Sequence, residues 1–105
     1  MDRCFANCFS LTNICLPASL SELDCNAFES CTDLKTVVIN GKIPKLNDFT
    51  FFNCKNLESV ELKFDIHSIS NTCFIGCKNL IKVTANGNNI VSRFRDSFKT
   101  CPQIQ

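Results

Sequence analysis

Long apolar runs and an excess of one charge are both missing from this chain of 105 residues. No stretch of about 18 consecutive apolar residues occurs, so the sequence contains no candidate transmembrane helix. Lysine and arginine number 11 against 10 aspartates and glutamates, which gives no electrostatic footprint for nucleic acid or an anionic membrane. With 45% apolar residues the chain is too hydrophobic for a disordered protein. We therefore expect one folded domain that neither inserts into a membrane nor binds nucleic acid.

Tryptophan and tyrosine are absent, and His67 is the only histidine. No serine or cysteine forms a recognisable catalytic pattern with His67, so this side chain is interpreted as a solvated loop residue rather than a general base. Several carboxylates stand at positions where exposure is expected, and they are interpreted as solubilising groups: Asp48, Glu58, Glu61 and Asp65. The sequence therefore predicts no enzyme, no catalytic residue and no cofactor.

Cysteine, by contrast, is abundant: the chain has nine, an odd number, so a fully paired intramolecular disulfide framework is impossible. Five of the nine are separated by 23, 23, 23 and 24 residues: Cys8, Cys31, Cys54, Cys77 and Cys101. Stacked repeats have such even spacing, whereas disulfide scaffolds do not. We expect these thiols to be reduced and buried, with pairing between neighbouring repeats conceivable under oxidation. The pairs Cys4/Cys8 and Cys73/Cys77 are interpreted as core packing rather than as a zinc site.

A repeat of about 23 residues runs through the whole chain. A phenylalanine stands three residues before each of the evenly spaced cysteines: Phe5, Phe28, Phe51, Phe74 and Phe98. The unit reads F-x-x-C-x-x-L-x-x-V-x-L, followed by L-x-x-L and a small residue before the next phenylalanine. The fourth period is one residue longer, which predicts an insertion near Gly87–Arg95 and puts Arg93 at an apolar position of the pattern.

Each unit contains one short extended segment. In the third unit Val60 and Leu62 point to one side and Ser59 and Glu61 to the other, as strand alternation requires. The Phe-x-x-Cys segment is long enough only for a single helical or 3₁₀ turn, which would place both side chains on one face. One coil cannot bury its apolar side alone, so we expect coils to stack with their strands about 4.8 Å apart. The predicted fold is a repeat solenoid with a short parallel β-sheet on one face, turns or single helical turns on the other, and a ladder of phenylalanines inside.

The Leu-x-x-Val-x-Leu segments and their period resemble those of leucine-rich repeat proteins. The elements Ala27-Phe28-x-x-Cys31 and Leu16-Pro17-Ala18-Ser19-Leu20 are similar to the BspA-like repeats of microbial and protist surface proteins. The consensus asparagine that follows the strand in commoner leucine-rich repeats does not recur here, so no asparagine ladder is expected; its place is taken by Ser19, Lys42, Asp65 and Asn88. The resemblance covers essentially the whole chain and implies a non-catalytic binding scaffold, often adhesive and often displayed at a cell surface.

The outward-facing strand residues are the candidate ligand surface of such a scaffold, because a row of parallel strands is rigid and gently curved. This surface, here called the strand face, consists of Asn13, Cys15, Thr36, Val38, Ser59, Glu61, Lys82 and Thr84. Solenoids also bind through their edges and loops, and that alternative stays open. The predicted function is binding of another protein, and the alternative is a structural, self-assembling repeat array without a dedicated ligand site.

Residues 1–105 are expected to form a single domain of about four repeats. The lack of polar terminal repeats predicts either a fragment of a longer array or ends that are covered by partners. In the isolated chain the last coil would expose Phe98, Cys101 and Ile104, and the first would expose Phe5, Leu11 and Ile14, which predicts head-to-tail self-association. The apolar residues of Phe5–Leu16 coincide with repeat positions, so this segment is interpreted as repeat rather than signal peptide. The location in the cell stays open between the surface, which the resemblance implies, and the cytoplasm.

Overall fold

The computed structural model describes residues 12–23 and 25–104, and in these residues it contains seven short strands and a 3₁₀-helical segment that is interrupted by non-helical backbone angles at Phe94. The strands are β1 (Asn13–Leu16), β2 (Thr36–Ile39), β3 (Lys45–Leu46), β4 (Ser59–Leu62), β5 (Ser68–Ile69), β6 (Lys82–Ala85) and β7 (Asn88–Asn89), and the helix spans Val91–Phe98. No helix in this part of the chain has the length and apolar character needed to cross a bilayer.

The main sheet follows the sequence repeat. A coil is counted from each of its parallel strands, so the first to fourth coils begin at β1, β2, β4 and β6. Strands β1, β2, β4 and β6 pair in parallel and in that order, and β7 adds an antiparallel strand at the far edge. Equivalent residues of successive repeats are direct partners, so Val37 lies beside Val60 and Val60 beside Val83. These three valines are at most 1% exposed, because inward positions of successive strands stack on one another. The predicted repeat solenoid with a parallel sheet of leucine-rich-repeat type is confirmed.

A second, two-stranded sheet was not predicted from the sequence. Strands β3 and β5 pair in parallel, with Leu46 opposite Ile69, and both side chains point into the core. They belong to the L-x-x-L part of the unit, which is too short to show strand alternation on its own. The described residues of the fourth coil add no third strand to this sheet. The 3₁₀ segment Val91–Phe98 takes that place in the coil and contacts β5.

The Phe-x-x-Cys segments form tight turns, as predicted. The amide of Cys54 donates to the carbonyl of Phe51 at 3.3 Å, and that of Cys77 donates to Phe74 at 3.2 Å, which is the i to i+3 bond of a 3₁₀ turn. Segments 25–30, 48–53 and 71–76 stack on one another as a second side of the solenoid, here called the turn wall. At Gly76, φ is +87° and an added Cβ would lie 2.9 Å from the Cα atom of Asn53 in the preceding coil, so a side chain is excluded there.

The turn wall is connected across coils by backbone hydrogen bonds and by aromatic stacking beneath it. The Phe28 amide donates to the Thr50 carbonyl at 2.8 Å, and the Phe51 amide donates to the Cys73 carbonyl at 3.0 Å. The ring of Phe51 stacks between the rings of Phe28 and Phe74, at centroid distances of 5.3 and 5.4 Å. The predicted phenylalanine ladder is confirmed for Phe28 to Phe98, while Phe5 lies outside the described residues.

The C-terminal coil is covered, and the prediction that it exposes its apolar residues is wrong. Phe98 is 1% exposed, Cys101 0% and Ile104 8%. Asn86 and Gly87 both have positive φ, the conformation of a two-residue hairpin turn, and they return the chain as β7 along the edge of β6. In the longer fourth period, β7 and the 3₁₀ segment Val91–Phe98 follow β6, and together they are here called the cap. The corresponding prediction for the first coil named Phe5, Leu11 and Ile14. Phe5 and Leu11 lie outside the described residues, and Ile14 is half-buried against the core.

Truncating the central phenylalanine of the ladder should reduce the stability of the protein more than truncating the last one. Phe51 stacks on two rings and Phe98 on one, so Phe51→Ala removes contacts with both neighbouring coils. We expect Phe51→Ala to lower the free energy of unfolding by about 3–5 kcal/mol, measured by urea denaturation, and Phe98→Ala to lower it by less. Equal losses, or a stable Phe51→Ala protein with an unchanged midpoint, would show that the coils are not coupled through this ladder.

Candidate binding surface

The eight residues of the strand face lie in two rows on the outer side of the main sheet, and none of them is buried. The strand register aligns every member with its counterpart in the next coil: Asn13, Thr36, Ser59 and Lys82 in one row, and Cys15, Val38, Glu61 and Thr84 in the other. Their outward direction follows from strand alternation, since the residues between them fill the core. The sequence therefore located this surface correctly, and its role in binding stays a prediction.

The strand face is polar but nearly neutral. The Thr36 hydroxyl donates to the side-chain carbonyl of Asn13, its partner on the neighbouring strand. Glu61 forms an ion pair with Lys63 at 3.0 Å, and about half of each side chain is exposed, so this pair contributes little stability. Val38 is half-buried and gives the centre of the surface an apolar element. The strand face offers hydrogen-bond donors and acceptors on a rigid sheet, and its electrostatic potential is not strongly positive or negative.

The buried cysteines are hydrogen-bond donors as well as small apolar side chains. The Cys54 thiol donates to the Phe28 carbonyl and the Cys77 thiol to the Phe51 carbonyl, both at 3.1 Å. Each bond joins a coil to the preceding one at the rung where the phenylalanines stack. Sequence reasoning missed this role, although a recurring Cys at a position that Ala could also fill is a signal for it.

These thiols are unreactive, because burial disfavours the thiolate. Burial raises the pKa of Cys54 to about 12 and that of Cys101 to about 11, and it raises the pKa values of Cys73 and Cys77 as well. No disulfide joins any two of the seven cysteines in the described residues. No group of three or more potential metal ligands occurs in residues 12–23 and 25–104.

Side-chain amides also connect the coils, although no asparagine ladder was expected. On the flank of the turn wall Asn56 donates to the Thr32 carbonyl at 2.8 Å, and Asn79 donates to the Lys55 carbonyl at 3.0 Å. Directly after β2, Asn40 donates to the Leu16 carbonyl of the preceding coil at 3.0 Å. The consensus position lacks a recurring asparagine, as expected. Asparagines at other positions of the repeat donate hydrogen bonds to the loop carbonyls instead.

Arg93 occupies the apolar position that the longer fourth period assigns to it, and it stays at the surface. Its Nη1 atom lies 2.8 Å from Asp65 Oδ1, and its Nη2 atom donates to the Ile66 carbonyl at 3.2 Å. The Arg93 hydrogen bond lowers the pKa of the Asp65 carboxyl, with a smaller contribution from the Ile66 amide. His67 is exposed, and no side chain in the described part of the chain hydrogen-bonds to it. This cluster connects the third coil to the cap and contains no arrangement of a nucleophile and a base.

Thiol labelling should separate the exposed from the buried cysteines. Cys15 was predicted to be exposed and is, whereas Cys25, which the sequence pattern could not place, is exposed too. In a Cys4→Ser, Cys8→Ser background, maleimide treatment of the native protein followed by peptide mass analysis should modify these two positions only. The other five should react after denaturation. Rapid labelling of Cys54 in the native protein would contradict its buried, hydrogen-bonded state.

Comparison with known proteins agrees with this architecture. A family model described as the BspA type leucine rich repeat region, of six copies, matches residues 1–105. Neither the curated proteins nor the solved structures include a match to the chain. Leucine-rich repeats are scaffolds that commonly bind proteins and are generally non-catalytic. Since the match spans the full length, the chain belongs to the BspA-type leucine-rich repeat family.

Proposed function

We propose that this protein is a non-catalytic scaffold that binds another protein through the strand face. The observation that carries the proposal is the register of the main sheet, which aligns four outward residue pairs in two unbroken rows. Such a surface is preorganised, because its backbone is fixed by the sheet and by the stacked core behind it. Adhesion and display at a cell surface are the finer roles that family membership supports.

The size of the strand face sets how the partner would be held. Three strand spacings of about 4.8 Å and strands of about 13 Å give an area of roughly 14 by 13 Å. Stable protein interfaces bury about 800 Å² on each side, which is several times more. The loops that follow the strands are therefore proposed to widen the contact, with Phe64 among them, since 46% of this side chain is exposed.

The chemistry of the strand face favours a partner that is recognised through hydrogen bonds and shape complementarity. Glu61 is paired with Lys63, so Lys82 is the one residue of the face with a charge that no ion pair within the described residues offsets. Thr36, Ser59 and Thr84 offer hydroxyls, and Val38 offers apolar contact. A polar protein surface with a small apolar centre matches this set.

Head-to-tail self-association, the alternative role, has weaker support. Strand β7 pairs with Thr84 and Ala85 and so covers half of the outer edge of β6. Phe98, Cys101 and Ile104 are each at most 8% exposed, so they offer little apolar surface to a second copy. Light scattering over a range of concentrations would reveal self-association if the alternative held.

Site-specific cross-linking tests the proposal. Cys15 lies on the strand face and is exposed, so a benzophenone maleimide at Cys15, in a background with Cys4, Cys8 and Cys25 replaced by Ser, should capture a discrete protein from the native extract. The matched control moves the label to Lys78→Cys on another side of the solenoid, with Cys15 also replaced. We expect the adduct only from Cys15, and we expect Val38→Asp to reduce it at least about tenfold with an unchanged unfolding midpoint. Equal adducts from both positions, or an adduct that Val38→Asp leaves intact, would contradict a strand-face site.

A further inference from the structure

An aromatic pair on the turn wall is not explained by the ladder or by the strand face. Phe49 and Phe52 lie three residues apart in the turn of the second coil, and their rings meet edge to face with centroids 5.5 Å apart. Phe49 is 36% exposed and Phe52 is half-buried, whereas the ladder residue Phe51 between them is fully buried. The pair therefore presents aromatic surface to solvent on a side of the solenoid that the sheet does not occupy.

The fold does not require aromatic residues at these two positions. In the preceding coil they are Asn26 and Glu29, and the Asn26 amide donates to the Glu29 carboxylate at 2.8 Å. In the last coil the same i, i+3 slot holds Asp96 and Lys99, which form an ion pair at 3.9 Å. In the third coil the slot holds Thr72 and Ile75, so one apolar residue recurs there, but none of the other three described coils places an aromatic residue at either position.

Phe49 also adopts a backbone conformation that its side chain disfavours. Its φ is +57°, in the left-handed region, and the equivalent Asn26 has a φ of +65°. Asparagine tolerates this region, whereas a bulky side chain there is a genuine outlier. The chain keeps a strained, exposed phenylalanine where the preceding coil has an asparagine. Strain of this kind is concentrated at sites that contact a ligand.

The charge next to Phe49 indicates which ligand fits. Asp48 precedes Phe49 and is exposed, and its Oδ1 atom accepts hydrogen bonds from the hydroxyls of Ser70 and Thr72 in the next coil. These hydroxyls hold the carboxylate of the residue that directly precedes Phe49, and no ion pair of the described residues neutralises it.

We propose that Phe49, Phe52 and Asp48 form a second docking surface, which takes an arginine-bearing segment of a partner protein. A guanidinium is planar and weakly hydrated, so it can stack on an aromatic face while its N–H groups donate to a carboxylate. Lysine offers a point charge and a poorer fit to the same pair. This surface lies on the turn wall, so a partner could occupy it while the strand face is engaged.

The test is an NMR titration of the full chain with capped pentapeptides of sequence Gly-Arg-Gly-Arg-Gly, its lysine analogue and its glutamate analogue. We expect the arginine peptide to shift the amide and ring signals of Phe49 and Phe52, and to bind more tightly than the lysine peptide. The glutamate peptide should produce no shift there. Phe49→Asn should weaken the arginine peptide at least about fivefold, because the aromatic face is removed.

Stability measurements separate a binding role from a structural one. Because Asn26 has the same conformation, Phe49→Asn should leave the thermal midpoint unchanged or raise it. The matched control is Phe64→Asn, which removes another exposed phenylalanine and should keep the affinity, as should Glu61→Lys on the strand face. The proposal is overturned by equal binding of the arginine and glutamate peptides, by no shift at about 10 mM peptide, or by a Phe49→Asn protein that is less stable and binds as before.

Discussion

Everything in this molecule depends on the in-register stacking of one coil on the next. A single coil of 23 residues has an apolar side that only a neighbouring coil can cover. From the first coil to the third, four contacts recur between neighbouring coils: a stacked phenylalanine ring, a thiol that donates to a carbonyl, a backbone hydrogen bond across the turn wall and a parallel strand pair. Losing register by one residue would break all four at once, which explains why the spacing of Phe and Cys is so strict.

The residue types at the core positions are constrained by stacking, whereas those at the surface positions can differ from coil to coil. Residues between the ladder positions differ from coil to coil, and both proposed binding surfaces are made of them. On the strand face, Val38 and Glu61 stand side by side at equivalent positions of adjacent strands. On the turn wall, Phe49 replaces the asparagine of the preceding coil. A solenoid of this kind therefore provides one rigid frame on which different sides can be adapted to different partners.

The sequence predicted which repeated positions are buried and which face outward, because the same residue type recurs at each position in several units. Phe51 and Cys54 could be assigned to the core from spacing alone, and Thr36 or Ser59 to the outer side from strand alternation. The β3–β5 pair was missed although it repeats, because two-residue strands show no alternation. The hairpin with β7 and the 3₁₀ segment of the fourth coil were missed because no other unit offers a copy for comparison. The strain at Phe49 was also invisible, since a φ value is a property of the folded backbone and not of the residue type.

The most direct test of coil-to-coil coupling is a pair of double-mutant cycles in urea denaturation. Phe51→Leu and Phe74→Leu alter adjacent rungs, whose rings are 5.4 Å apart, whereas Phe28→Leu and Phe74→Leu alter rungs that do not touch. Stacking in register predicts a coupling free energy of about 0.5–1.5 kcal/mol for the adjacent pair and additivity within about 0.3–0.5 kcal/mol for the separated pair. Additive losses in both cycles would contradict the account, because the fold would then not be held together by its rungs.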